Sequence, residues 1–177
     1  MTGPRRSDRA AQNQRGVAAV EFAVVAILLF TVILGGMEFG RLFYVFNTVQ
    51  EVTRKAAREA VVNWTDQQAA VKSKALFGGT VLPAGGEVTN AYLLIEYVNT
   101  PTGPKISPLP ADVATNIQEC LGGAADCIKY VRVKVVNSDG TPVIYRPAWG
   151  FPSFLSIPIP FSTVVMPAES LGFRPSS

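Results

Sequence analysis

The chain has 177 residues, 48% hydrophobic and only 16% charged, which is too apolar for a disordered chain and low in charge for a soluble one. With no histidine and two cysteines, it excludes His-dependent nucleophilic triads, His-containing zinc and haem sites, and a four-thiolate metal site within one chain. The net charge of +3 sits in the first fifteen residues, which hold Arg5, Arg6, Arg9 and Arg15 against Asp8; the rest of the chain is neutral overall, whereas a nucleic-acid footprint would need a basic face on the folded part.

Behind that basic tag, Val17 to Met37 is an apolar run whose one charge is Glu21. At ~1.5 Å per residue it makes about 31 Å of helix, enough for the ~30 Å hydrocarbon core of a bilayer. Residues 17–37 therefore read as a single membrane span. Four arginines precede it and Arg41 alone follows within fifteen residues, so the N-terminus is expected in the cytoplasm and the remainder exported. A cleaved secretory signal is the alternative, but the run exits through Gly35-Gly36-Met37-Glu38 without an A-x-A pattern. A buried core helix lacks enough apolar helix downstream to surround it.

Glu21 is the most informative residue. An ionised group inside an apolar span costs a few kcal/mol and normally has a partner and a function; the plain alternative is that it snorkels to the headgroups. Its neighbours weigh on that choice. Arg15-Gly16 precedes Val17, and a cut after Gly16 would leave Glu21 as the fifth mature residue, with a new cationic amine on Val17.

Gly16, four apolar residues, Glu21 and Phe22, behind a basic leader and at the head of an apolar helix, resemble the type IV prepilin signature. The continuation through Phe22-Ala23, Gly35 and Glu38-Phe39-Gly40-Arg41 resembles the TadE-like minor pilins, or pseudopilins, of the tight-adherence pilus machinery. The resemblance covers about residues 14 to 60 and departs at Ile27, where many members carry a proline. It implies a structural subunit of an adhesion pilus, cut between Gly16 and Val17 by a prepilin peptidase and guided into assembly by Glu21. Its implied partners are other pilins, inner-membrane pilus-assembly proteins and the membrane. Its implied place is the bacterial inner membrane with a periplasmic head, or an extracellular pilus. The expected organisation is a leader at 1–16, a long helix at 17–62 and an exported head at 63–177.

The helix beyond the span carries Phe39, Leu42, Phe46, Val49, Thr53, Ala56 and Ala60 at spacings of three and four, one apolar stripe. Glu51 and Lys55 stand at a favourable i, i+4 spacing. No proline interrupts residues 17–62, so one helix of about 70 Å is predicted. Gly36 and Gly40 form a GxxxG pair, open equally to helix packing and to mere tolerance by lipid.

Downstream, Gln67 to Phe77 predicts a short helix stopped by Gly78-Gly79, and residues 111–121 another. Val88 to Val98 alternates as one strand, with Ala91, Leu93, Ile95 and Tyr97 on one side. Val131, Val133 and Val135 alternate with Arg132 and Lys134 in a second. Asp139-Gly140 predicts a hairpin into residues 142–146. Ile157 to Val165, with Pro158 and Pro160, predicts an edge strand. The fold class expected is α+β, a long N-terminal helix with a small antiparallel-sheet head.

Cys120 and Cys127 flank a Gly-rich connection in the part expected to be exported. A local disulfide is the expectation, a free-thiol or redox pair the lesser option, since the spacing is not C-x-x-C. Glu96, Asp112, Glu119, Asp126 and Asp139 read as solvated surface charges rather than a catalytic pair. No catalytic residue, metal site or cofactor is assigned. Trp149, Phe151 and Phe154 are the best contact patch, with core packing as the competing reading. Against the pilin-like reading stands an uncleaved, signal-anchored periplasmic binding or sensor domain, for which Gly16 and Glu21 would be dispensable.

Overall fold

A computed structural model describes residues 6–148, 156–168 and 171–172, with side chains from residue 16 onward. The chain forms two compact units, Met1–Gly40 and Arg41–Ser177. The fold is mixed α+β, a long N-terminal helix followed by small antiparallel sheets, as the sequence predicts.

The long helix α1 spans Arg6–Val62 and so begins eleven residues before Val17. Pro4 precedes it, Ser7 and Asp8 suit a helix N-terminus, and Ala10 and Ala11 are strong helix formers with no glycine before Gly16. In the first unit the apolar stretch is long enough to cross a membrane, and none of its most apolar window is buried. Phe22, Ile27, Phe30 and Val32 are all at least 60% exposed, pointing to every side of the helix.

The second unit opens with α1 from Arg41 onward. Val45, Val49, Val52, Ala56 and Ala60 recur at three- and four-residue steps and are all buried. The small alanines let the rest of the head come close. Of the predicted stripe, Val49, Thr53, Ala56 and Ala60 are buried and Leu42 and Phe46 half-buried, while Phe39, in the first unit, is 64% exposed. Lys55 does not pair with Glu51. Glu51 is bonded instead by Arg54 at 2.8 Å, and the Lys55 ammonium lies 5.0 Å from the centre of the Phe77 ring.

A short 3-10 turn at Thr65–Gln67 leads into α2, Gln68–Ala75. Strands β1 (Val81–Leu82) and β2 (Gly85–Thr89) form a small antiparallel ladder. The main sheet has the order β3-β4-β7, from Leu93–Val98, Tyr130–Val135 and Thr163–Pro167, antiparallel throughout. Leu93, Ile95 and Tyr97 face Val135, Val133 and Val131 across the β3–β4 register. All six are buried in one core with the α1 face. Helix α3, Val113–Leu121, lies between β3 and β4 in sequence, and β5 (Ile144–Tyr145) pairs with β6 (Ile157–Pro158).

Three expectations are corrected. The predicted strand from Val88 to Val98 is two strands, broken where Tyr92 N–H bonds the Thr89 carbonyl at 3.1 Å across Asn90 and Ala91, a turn that asparagine favours. Asp139-Gly140 does make a turn, with Gly140 at φ +83°. It does not lead into a hairpin on β4, because β4 is the central strand with both edges occupied by β3 and β7. The predicted strand from Ile157 to Val165 is likewise divided into β6 and β7, and β7 does lie at the sheet edge.

Candidate functional site

The residues carrying the prepilin-like signature lie on α1 within the first unit. Gly16, Val17, Glu21 and Phe22 are all exposed, Val17 at 68% and Phe22 at 75%. Val17 and Glu21, one turn apart, share a face. Gly16, Gly35, Gly36 and Gly40 have open space where a Cβ would point, so no close approach within the described chain requires glycine there. Glu38 is buried at 8% exposure, and it engages a partner.

Arg41, the last residue of the predicted motif, is the first of the second unit, and its guanidinium is heavily engaged there. Nε donates to the Ala84 carbonyl at 2.9 Å, and Nη1 donates at 3.0 Å both to the Tyr145 hydroxyl and to the Arg146 carbonyl. Nη2 donates to Glu87 Oε1, which also accepts from the Arg146 N–H at 3.1 Å. The same cation stands 4.6 Å from the centre of the Tyr145 ring. The local chain is built for this contact. Ala84 sits at φ +56° in the tight β1–β2 turn, and Gly85 follows it because a Cβ there would lie 2.8 Å from Leu82 and 3.1 Å from Val45. Arg41 thus ties the start of the head helix to the β1–β2 turn and to β5. Only a planar five-donor fork serves so many acceptors at once.

Beside this cluster lies an open cleft of about 500 Å³, edged by Glu87, Thr89, Tyr92, Asn137 and Arg146. The second carboxylate oxygen of Glu87 is buried without a hydrogen-bond partner among the described residues. Glu87, Tyr145 and Arg146 were not singled out from sequence. Their link to Arg41 crosses more than forty positions, and no local pattern marks it.

Cys120 and Cys127 are joined by a disulfide, with Cα atoms 4.8 Å apart. The bridged loop is fixed from two sides. Asn116, the one buried residue of α3, accepts from the Ile128 N–H at 2.8 Å, while Asn99 Nδ2 donates to the Cys127 carbonyl at 2.9 Å. Asp112 caps α3, accepting from the Thr115 N–H at 2.7 Å, and that bond holds its carboxyl below the usual range.

The five acidic residues read as solvated do not all behave so. Asp112, Asp126 and Asp139 are exposed, but Glu96 is buried at 8% and bonded by Arg132 at 2.7 Å and Lys134 at 3.0 Å. Burial alone would raise its pKa, yet the hydrogen bonds from Lys134 and Arg132 outweigh it and the pKa lies below the usual glutamate value. Glu119 is half-buried, with one oxygen unpartnered among the described residues. Burial pushes the Tyr97 hydroxyl up to about 12. Among the described residues no three His, Cys, Asp or Glu side chains gather as a metal site. Trp149, Phe151 and Phe154 lie outside the described residues.

Residues 16–58 match the model of the TadE-like protein family, the stretch in which Gly16, Glu21, Phe22 and the Glu38 to Arg41 motif lie. No curated protein and no solved structure gives a significant match. The family match points to a pilin-like, structural protein of tight-adherence pilus systems, and the long apolar helix is a candidate membrane anchor.

Proposed function

We propose that this chain, TadE-like over residues 16–58, is a minor pilin or pseudopilin that takes part in assembling an adhesion pilus of the tight-adherence type. The observation that carries the reading is the coincidence of the family match with a helix segment apolar on all sides and unburied within its own chain. Such a segment needs lipid or other helices around it.

In this reading residues 1–16 are a leader removed by a prepilin peptidase between Gly16 and Val17, and residues 63–177 are exported on a span at 17–37. The N-terminus stays in the cytoplasm, and the partners are other pilins and inner-membrane assembly proteins. Helices 17–62 pack side by side, where Glu21 meets the ammonium created at Val17 of a neighbour. Removing one member of such a pair strands the other, at ~3 to 5 kcal/mol when buried.

The test is Glu21→Gln at matched membrane levels, with the N-terminus sequenced. Insertion and loss of sixteen residues are expected to persist, since a neutral glutamine is easier to place in lipid, whereas co-purification with other pilins is expected to fail. Gly16→Leu is expected to leave the chain uncut. The cleft beside Arg41 and Glu87 favours a second reading, an uncleaved anchored binding domain. That reading requires an intact Met1 and normal behaviour of both variants.

A further inference from the structure

Helix α3 is turned against its own amphipathicity. It buries Asn116 and one oxygen of Glu119 while exposing Ile117 at 47% and Leu121 at 84%, one turn apart on the same side. The disulfide to Cys127 and the Asn116 bonds to residue 128 hold it that way. A free head would gain by turning this stripe inward, so its outward setting marks a contact surface. Near the stripe Asp112 and Asp126 are exposed, while Glu119 lies on the inner side of α3, and no lysine or arginine falls between Lys105 and Lys129.

Elsewhere on the head, Tyr44, Arg54, Lys55, Arg58 and Phe77 line an open groove on the outer side of α1. Phe77 is 56% exposed and holds φ at +57°, a conformation that a bulky side chain adopts only under constraint. Lys55 covers its ring, Arg54 reaches Glu51, and exposed Arg58 has no partner among the described residues. Glu51 also lines the groove and is paired with Arg54, so the groove is apolar at its ends and keeps a net positive charge between them from Lys55 and Arg58. It offers the complement of an apolar stripe edged by carboxylates.

We propose that the α3 stripe of one copy docks into this groove on a second copy of the same chain, with Ile117 and Leu121 against Phe77 and Tyr44, and Asp126 facing Arg58. The occupant is a second copy because both complementary halves are present on one chain. Two different patches meet, so the contact is heterologous and each bound copy leaves a free stripe and a free groove, the geometry of an extending assembly. The contact goes beyond the reading of the leader and Glu21, and an uncleaved chain would make it as well.

The experiment uses full-length chain in membranes, as a mixture of unlabelled and heavy-isotope-labelled copies, with a photoreactive benzoylphenylalanine replacing Leu121. Cross-linked peptides of mixed label that join residue 121 to the α1 segment 44–58 or to Phe77 are expected. Arg58→Glu should lower their yield about tenfold, and adding Asp126→Arg to the photoreactive copy should restore it. Disulfide formation and protease resistance equal to wild type certify that each variant is folded. Cross-links confined to single copies, directed to another protein or to another surface, or insensitive to Arg58→Glu would overturn the proposal. A charge swap without recovery would do the same.

Discussion

Between Gly16 and Gly40 the helix α1 exposes nearly every large apolar side chain it carries, and from Arg41 onward the same helix hides a narrow apolar face against a sheet. Thirteen large apolar residues from Val17 to Phe39 are substantially exposed. At about 1.5 to 3 kcal/mol for burying each such side chain, the surface left uncovered is worth tens of kcal/mol, more than a domain's whole stability. The second unit buries a continuous apolar core of its own, whereas the first unit leaves its apolar surface uncovered within its own chain. On the proposed membrane reading, stability of the head and insertion of the first unit should therefore respond to different substitutions.

The strongest way to break that comparison is a pair of charge insertions. Val133→Asp places a carboxylate at a position with 0% exposure, at a cost of more than about 4 kcal/mol. The head should become protease-sensitive while the chain stays in the membrane fraction. Leu28→Asp, at a 63% exposed position, should lower insertion by about 3 kcal/mol and leave head unfolding unchanged in detergent. A Leu28 variant with a destabilised head would end the separation.

Arg41 sharpens the boundary between the two regions. Arg41→Ala strands Glu87, whose side chain is only 8% exposed, and leaves the Ala84 and Arg146 carbonyls without their donor. A loss of about 2 to 3 kcal/mol is expected in urea unfolding of the head. Arg41→Lys should recover less than half of it, because an ammonium cannot reproduce the fork or lie as well on Tyr145. Full recovery by lysine would mean that charge alone matters there.

The legible parts of the molecule were those whose signal is local. The 3.6-residue period of α1 and the alternation of β4 follow from one-sided burial, and both are present as expected. The split of Val88 to Val98 was hidden because Asn90 and Ala91 interrupt without breaking the alternation of Leu93, Ile95 and Tyr97. The fate of the Asp139 turn depended on β7 taking the second edge of β4, a pairing whose partners run from Lys134 with Thr163 to Tyr130 with Pro167. Arg41 was marked only by resemblance. Its partners Glu87 and Tyr145, and the outward setting of Ile117 and Leu121, are tertiary outcomes that no periodicity encodes. An amphipathic α3 would by default be read with its apolar side inward.

The disulfide offers a smaller effect within the head. Closing an eight-residue loop is worth about 2.5 kcal/mol on the chain-entropy model, so Cys120→Ser with Cys127→Ser should lower head stability by roughly that amount and leave membrane insertion intact. Mass spectrometry of freshly isolated protein should find both sulfurs oxidised, and two free thiols would contradict the bridge.

The finest discrimination comes from pH, which should act on the head through two buried groups of opposite sign. Tyr97 is 1% exposed and its pKa is raised from 10.0 to about 12, chiefly by burial. The folded state therefore holds the phenolic proton more tightly than the unfolded chain, so the stabilising contribution is complete below pH 10 and disappears between pH 10 and 12, at up to about 1.4 kcal/mol per pH unit. Glu96 has the opposite sign. Its pKa is lowered from 4.5 because the bonds from Lys134 and Arg132 outweigh burial, so its contribution is complete above 4.5 and is lost as pH falls through the lower folded value. Urea midpoints measured from pH 3 to pH 12 should decline on both arms. Tyr97→Phe should flatten the alkaline arm alone, since phenylalanine keeps the ring and has no proton to lose, and Glu96→Gln should make the acid arm shallower without touching the alkaline one, the rest of the acid arm belonging to Asp112 and Asp139, whose carboxyls are also held low. An alkaline decline unchanged in Tyr97→Phe would show that the Tyr97 hydroxyl does not set that arm.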